Sequence, residues 1–349
     1  MKFIKAFSIL VVIVMVGVMA FGAKFLKAVY QGDSDVLVKE VAAMSLAHPA
    51  TVVIESDSEN AADNMAGADA TFEKKFTVKQ GGVLEVDTDA GSIAITGSNS
   101  NEVSVTVRVR ASDEITKNFL ISAEQKGDDV RVNGKIKGGT KQGGRWGYSI
   151  DAEFIVAVPR NYNLKLSTSG GSIDITGITG KLKGNTSGGG ITVKDITGET
   201  DMQTSGGSMR AEKITGNLNL ETSGGSIRLN DVRGDVAVET SGGGIEMDEV
   251  EGKIRAETSG GGISISLRGE NKGIYAETSA GGIDLTLPKN TKGTIDAQTS
   301  VGQIVCEMTV MNARRDEDLL HGSLRGDING GGNKIHAHTS AGSVRIKTR

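Results

Sequence analysis

The chain has 349 residues, a formal net charge of −4 and a single cysteine; no basic stripe supports a nucleic-acid partner, and an intramolecular disulfide framework and a cysteine-based zinc site are excluded. Its 49 glycines against 3 prolines, in a sequence 37% hydrophobic and only 4% aromatic, argue against disorder and collagen. They suit an all-β chain with many tight turns, where glycine supplies positive φ without steric cost.

Residues 1–23 read as a signal peptide or an uncleaved signal anchor. Lys2 and Lys5 precede an apolar run from Phe7 to Ala23, Lys24 and Lys27 follow it, and Val18-Met19-Ala20 offers the small residues a signal peptidase requires. No cysteine follows the run, which argues against a lipoprotein anchor. The remainder is therefore expected to be exported, to the periplasm, the cell surface or an outward-facing membrane-anchored position, and to meet a membrane only through this segment. Residues 24–74 read as a partly helical, flexible spacer: Asp33–Met44 has weak helical spacing, and Asp57–Ala70 is small, acidic and aperiodic.

Strand-like alternation begins at Phe76 and continues through Val103, Val105, Val107 and Val109, then Leu120–Ala123, Val130–Val132 and Phe154–Val158. Residues 75–167 thus form a β-rich N-terminal part, either first coils or a cap, in which 138–148 reads as a mobile loop.

From Thr168 the sequence repeats. Thr168, Thr186, Thr204, Thr222, Thr240 and Thr258 each open a T-S-G-G block at a constant interval, and later copies open at Thr278, Thr299 and Thr339 with an outlier at Thr88. A fixed period of this size marks a solenoid. Pairs two apart, such as Ile173/Ile175, Ile227/Leu229 and Ile263/Ile265, share one strand face, and Leu218/Leu220 and Val236/Val238 form a second strand. Ile196, Ile214, Val232 and Val250 fill a corner, and the glycines two residues later turn it. Each repeat is read as one ~18-residue coil of a single-chain parallel β-helix, expected right-handed, spanning 168–349 with an insertion at 309–323. A helix fails for want of three-and-four periodicity. A left-handed hexapeptide β-helix fails because its aliphatic residue must recur every six positions.

The pieces LEVDTDAGSIAITG, FIVAVPRNYNLKLSTSGGSIDITGI, the T-S-G-G ladder and INGGGNKIHAHTSAGSVRI, in this order, resemble the bacterial putative adhesin β-strand-repeat family, a domain-of-unknown-function group related to auto-transporter adhesin head (GIN) domains. The resemblance covers about residues 75–349. It implies a parallel β-helix and an envelope or surface location, and it implies no reaction, so no catalytic residue is carried over.

Candidate interaction residues come from two places. Glu221, Glu239, Glu257 and Glu277, with Gln203 and Gln298, stand at the outward last position of their coils; stacked carboxylates repel and would welcome a cation or a basic partner. Arg314, Arg315, Asp316, Glu317 and Asp318 crowd the insertion, read as a protruding loop. The threonines are expected to point inward and cap their turns. Cys306 is expected to be a buried small hydrophobe. His336 and His338 share a strand face, but no third ligand is evident nearby, so no metal or cofactor is assigned. The function expected is that of a non-catalytic surface or envelope protein with an unknown protein or glycan partner. End-to-end assembly in the manner of bactofilins is the alternative, through the open edge of the last coil at Val344–Arg349, which its terminal charges should blunt, and a polysaccharide-active enzyme is a remoter one.

Overall fold

The computed structural model describes residues 68–111, 118–137, 150–317 and 321–349, all within one compact unit, Val52–Arg349. The expected signal segment, residues 24–67 of the expected spacer, the 138–148 loop and Asp318 lie outside the described residues.

Described residues form 27 strands in two long sheets, one of 14 strands (sheet A) and one of 13 (sheet B). One repeat makes one coil. Leu218–Thr222 lies in sheet A, the T-S-G-G turn leads to Ile227–Arg233 in sheet B, and Gly234 leads back to Val236–Thr240 in sheet A. Successive coils pair in parallel with identical positions opposed, Leu218 to Val236 and Ile227 to Ile245. Inward residues of both sheets, such as Leu220, Ile227, Leu229, Val236 and Val238, are buried in one continuous core.

The break in alternation before each corner has a backbone cause. Asp195, Lys213, Asp231 and Glu249 take left-handed φ of 54°, 55°, 53° and 54°. This turns the next residue inward three positions after the last core residue instead of two. Ile196, Ile214, Val232 and Val250 are buried as a result.

The threonines of the T-S-G-G blocks are buried, and they bond to the preceding coil as well as to their own turn. Thr222 Oγ1 donates to the carbonyl of Gly207 at 2.8 Å and accepts from the Gly225 N–H at 3.3 Å. The same bond to the coil before runs from Thr186 to Gly171, Thr204 to Gly189, Thr240 to Gly225 and Thr258 to Gly243. Thr200 is a counter-example. It takes the place that Leu182 and Leu218 occupy in the flanking coils, is 1% exposed, and its hydroxyl has no partner. Two substitutions of the same chemistry should therefore have opposite signs. Thr222→Val is expected to destabilise by about 1–3 kcal/mol, while Thr200→Val is expected to stabilise by about 1 kcal/mol. Urea unfolding of both variants measures the contrast.

The order of coils in space departs from their order in sequence at both ends. Past Ile274–Ala280, sheet A continues with Lys334–Ala341, then Gly293–Val301, Gly322–Ile328 and Val310–Glu317. Sheet B likewise runs Ile283–Leu287, Val344–Thr348, Ile304–Cys306. The C-terminal coil is wedged between two coils that are consecutive in sequence. The hydroxyl ladder follows this spatial order: Thr339 donates to Gly281 O and Thr299 to Gly342 O, each at 2.8 Å. Buried Asn271 ties the three coils together by donating to the carbonyls of Lys292 and Asn333 at 3.1 and 2.8 Å. At the other end, the Val83–Thr88/Ser92–Ser98 coil is wedged in the same way between Asp129–Ile136/Asp151–Pro159 and Asn163–Thr168/Ile173–Thr176.

Four expectations change here. The spacer ends earlier than residue 74, because Ala68–Thr77 is a strand antiparallel to Glu102–Ala111 that buries Phe72 and Phe76 on one face. The described part of the 309–323 insertion is no protruding loop. Its Val310–Glu317 segment is a strand, antiparallel to Gly322–Ile328, and it closes sheet A. The Val344–Thr348 strand was expected to be an open edge, yet it lies between two neighbours. Cys306 is only half-buried, because its own three-residue strand is the edge of sheet B; burial still pushes the thiol pKa up. The edge strands at this end are charged and bulged in sheet A (Arg314, Arg315, Asp316, with a register shift between Met311 and Arg314) and very short in sheet B. Proteins use both devices to discourage edge-to-edge pairing, which weighs against filament-like stacking.

Candidate functional site

The outward face of sheet A carries the polar residues singled out by sequence. Glu221, Glu239, Glu257 and Glu277 lie on neighbouring strands in direct register, with Gln203 before them. Strands ~4.8 Å apart place successive carboxylates where mutual repulsion approaches ~1 kcal/mol per pair in water. Two of the four are relieved locally. Arg255 forms an ion pair with Glu257, and the Tyr275 hydroxyl donates to Glu277. Glu221 and Glu239 have no ion-pair partner among the described residues.

The ladder does not pass straight to Gln298. Because the C-terminal coil is inserted, His338 stands between Glu277 and Gln298. The adjoining row reads Arg255, Tyr275, His336, Asp296, Arg325 across five neighbouring strands. Arg255 lies over the Tyr275 ring at 4.6 Å, Tyr275 stacks on His336 at 4.5 Å and 5°, and the His336 and His338 rings are 3.6 Å apart.

Asp296 is the centre of this region, and the sequence reading did not single it out. Its Oδ1 accepts from Arg325 Nε at 3.0 Å and from Gln298 Nε2 at 3.2 Å, and its Oδ2 lies 2.8 Å from Lys334 Nζ. Burial works against its charge, but the bonds from Lys334 and Arg325 outweigh it and hold the carboxyl well below the usual carboxylate range. His336 Nδ1 and His338 Nε2 each stand 3.7 Å from an Asp296 oxygen, too far for a hydrogen bond, and neither has another partner. Burial lowers both imidazole pKa values. His336 and His338 were visible as a pair; only the inserted coil brings Asp296, some forty residues away, beside them.

Of the residues at 309–323, Arg314, Arg315 and Asp316 are exposed on the closing strand. Glu317 ends that strand, while Asp318 is outside the described residues. Asp316 Oδ2 is 3.5 Å from His321 Nε2. His321, Ser323, Gln298, His338 and Glu277 line a shallow, open groove of about 340 Å³. The glutamate ladder, the histidine pair and the hairpin residue His321 therefore adjoin one surface. Acidic and imidazole side chains here could meet a cation or a basic partner. They show no nucleophile–base pair converging on a closed pocket.

A model of the family Toastrack DUF4097 matches residues 82–347, well over half of the sequence. The chain belongs to this family. The match takes in the inserted first coil, the regular ladder and the wedged C-terminal coil. Among solved structures, it is similar to a "putative cell adhesion protein" from Clostridium sporogenes (13% identity, 80% of this chain and 100% of that one, TM-score 0.20). Two "putative adhesins" are also similar. One is from Parabacteroides distasonis (14% identity, 79% and 96% covered, TM-score 0.41) and one from Bacteroides fragilis (15%, 80% and 97%, TM-score 0.40). No curated protein matches the sequence.

Proposed function

We propose that this Toastrack chain is exported and serves at the cell envelope or surface as a non-catalytic, adhesin-like binding protein. The observation that carries this reading is the in-register glutamate ladder on the outer face of sheet A, with Glu221 and Glu239 left without ion-pair partners among the described residues. A row of stacked carboxylates, two of them without an ion-pair partner among the described residues, on a two-sheet scaffold suits an extended basic partner, a protein or a glycan bearing amino groups, and is poorly suited to enclosing a small substrate. The lysine-flanked apolar run at Phe7–Ala23 supports export.

Fractionation of native cells, with protease treatment of intact cells, tests the location. Recovery in the external, periplasmic or envelope fraction is expected, and recovery wholly in the cytosol would overturn it. The paired variant Glu221→Lys/Glu239→Lys tests the face. It is expected to weaken binding to a polycationic surface at least tenfold while leaving the thermal transition within a few degrees of the parent. Unchanged binding would remove the ladder from the proposal.

A further inference from the structure

We propose that Asp296, His336 and His338 form a binding site for a divalent ion of the zinc class. Three observations converge on it. Asp296, His336 and His338 offer one ligand atom each, all within 4.8 Å of one another. The two imidazole nitrogens facing the carboxylate, His336 Nδ1 and His338 Nε2, are buried and have no hydrogen-bond partner; a native protein rarely leaves such atoms unsatisfied. The surroundings hold the three groups in place. Tyr275 stacks flat on His336, and Arg325 Nε and Lys334 Nζ fix the carboxylate.

The donor set decides the class of ion. Two imidazoles and one carboxylate suit zinc, nickel, cobalt or copper, whereas calcium and magnesium demand oxygen. The geometry needs a modest closing-in. Two ligands ~2.0–2.1 Å from a tetrahedral zinc stand ~3.3 Å apart; His336 Nδ1 lies 3.7 Å from Asp296 Oδ2, His338 Nε2 lies 3.7 Å from Oδ1, and one ligand atom from each of the three residues lies within 4.8 Å of the others. Arg325, Gln298 and Lys334 take three of the carboxylate's roughly four lone-pair sites and leave one, on Oδ2, for the ion. They are outer-shell donors of the kind that orient metal-binding carboxylates. Glu277 on the next strand faces His338 across the ladder and adds a second negative charge beside the ion. His338 also lines the open groove. A bound ion would present its remaining coordination positions there, to water or to a donor atom from another molecule.

A protein without the inserted coil could not build this site. Asp296 belongs to Gly293–Val301, both histidines belong to Lys334–Ala341, and the strands are neighbours only because the C-terminal coil returns into the gap. An ion would bridge those two coils and so stabilise the closing end of the solenoid.

The proposal stands apart from the partner reading, since it is tested with Zn²⁺ alone. The untagged full chain, stripped with a chelator, is titrated with Zn²⁺ against a chromophoric competitor, and its thermal transition is recorded with and without the ion. The expected result is one equivalent taken up and a transition raised by Zn²⁺ and left unchanged by Mg²⁺. His336→Phe keeps the stack on Tyr275 and removes the ligand nitrogen, and His338→Gln keeps a polar side chain of similar reach. Each is expected to weaken uptake by more than about tenfold. His48→Ala should leave it unchanged. If one ligand variant fails to fold without metal, the other carries the test. Absence of stoichiometric uptake by the parent, uptake unaltered by both ligand variants, or uptake lost equally with His48→Ala would each overturn the assignment.

Discussion

Deleting residues 334–349 is expected to unfold far more of the chain than those residues. In a solenoid whose coils stack in sequence order, removing the last coil exposes one face and leaves the rest intact. Here the last coil is interior. Lys334–Ala341 pairs with Ile274–Ala280 on one side and Gly293–Val301 on the other, and Val344–Thr348 pairs with Ile283–Leu287 and Ile304–Cys306. Its deletion removes Ile335, Val344 and Ile346 from the core, worth about 1.5–3 kcal/mol each. It also strips both parallel ladders and both carbonyl–hydroxyl bonds of the C-terminal threonines. The coil at 293–306 and the hairpin at 310–328 then have no strand joining them to the body. Hydrogen exchange on the truncated chain is expected to show protection lost across 293–328 and kept from Asn163 to Leu267. The opposite outcome is well defined. Ile295, Ala297 and Thr299 repeat the inward pattern of Ile274, Ala276 and Thr278, so retained protection would mean that the 293–306 coil had docked directly onto its predecessor in sequence.

The second large effect concerns two adjacent glycines that look interchangeable in the repeat. A Cβ on Gly207 would stand 2.0 Å from the carbonyl oxygen of Gly189 in the coil below, and the same collision recurs at Gly225 against Gly207. A Cβ on Gly206 would find its nearest atoms at 3.6 Å, an ordinary contact. Gly207→Ala must therefore push two coils apart at a turn where backbone meets backbone, and is expected to cost about 3 kcal/mol. Gly206→Ala is expected to change stability by no more than about 0.5 kcal/mol. Chemical unfolding of the two variants side by side measures the difference. Equal effects would show that the turns can slide past one another, contrary to the tight stacking of the T-S-G-G corner.

Much of this molecule is legible in its sequence, because the information that specifies one coil is local and repeated. The constant interval of the T-S-G-G blocks gives the coil length. Alternation at Ile227/Leu229 and Leu218/Leu220 gives the two inward faces, and the inward threonine follows from the same alternation. The outward glutamates follow too, since residues one apart on a strand face opposite sides, and parallel in-register pairing then stacks Glu221 on Glu239 on Glu257 on Glu277.

What the sequence alone could not determine is which coils are neighbours. Every coil offers nearly the same inward pattern and the same threonine–glycine corner, so any coil can dock on any other by local chemistry, and the order is a global property of the chain path. The irregular interval between Thr299 and Thr339 marks the place without revealing its meaning. Tertiary structure resolves it: the chain skips a layer after Leu287, builds the closing hairpin, and returns to fill the gap. That return makes Val310–Glu317, in the charge-rich insertion, an edge strand and turns the terminal strand into an interior one. It also sets Asp296 against His336 and His338. The coil was determined by period and polarity; the site at its closing end was decided by strand order, because in a parallel ladder a side chain's neighbours across the sheet come from whichever coil lies next in space.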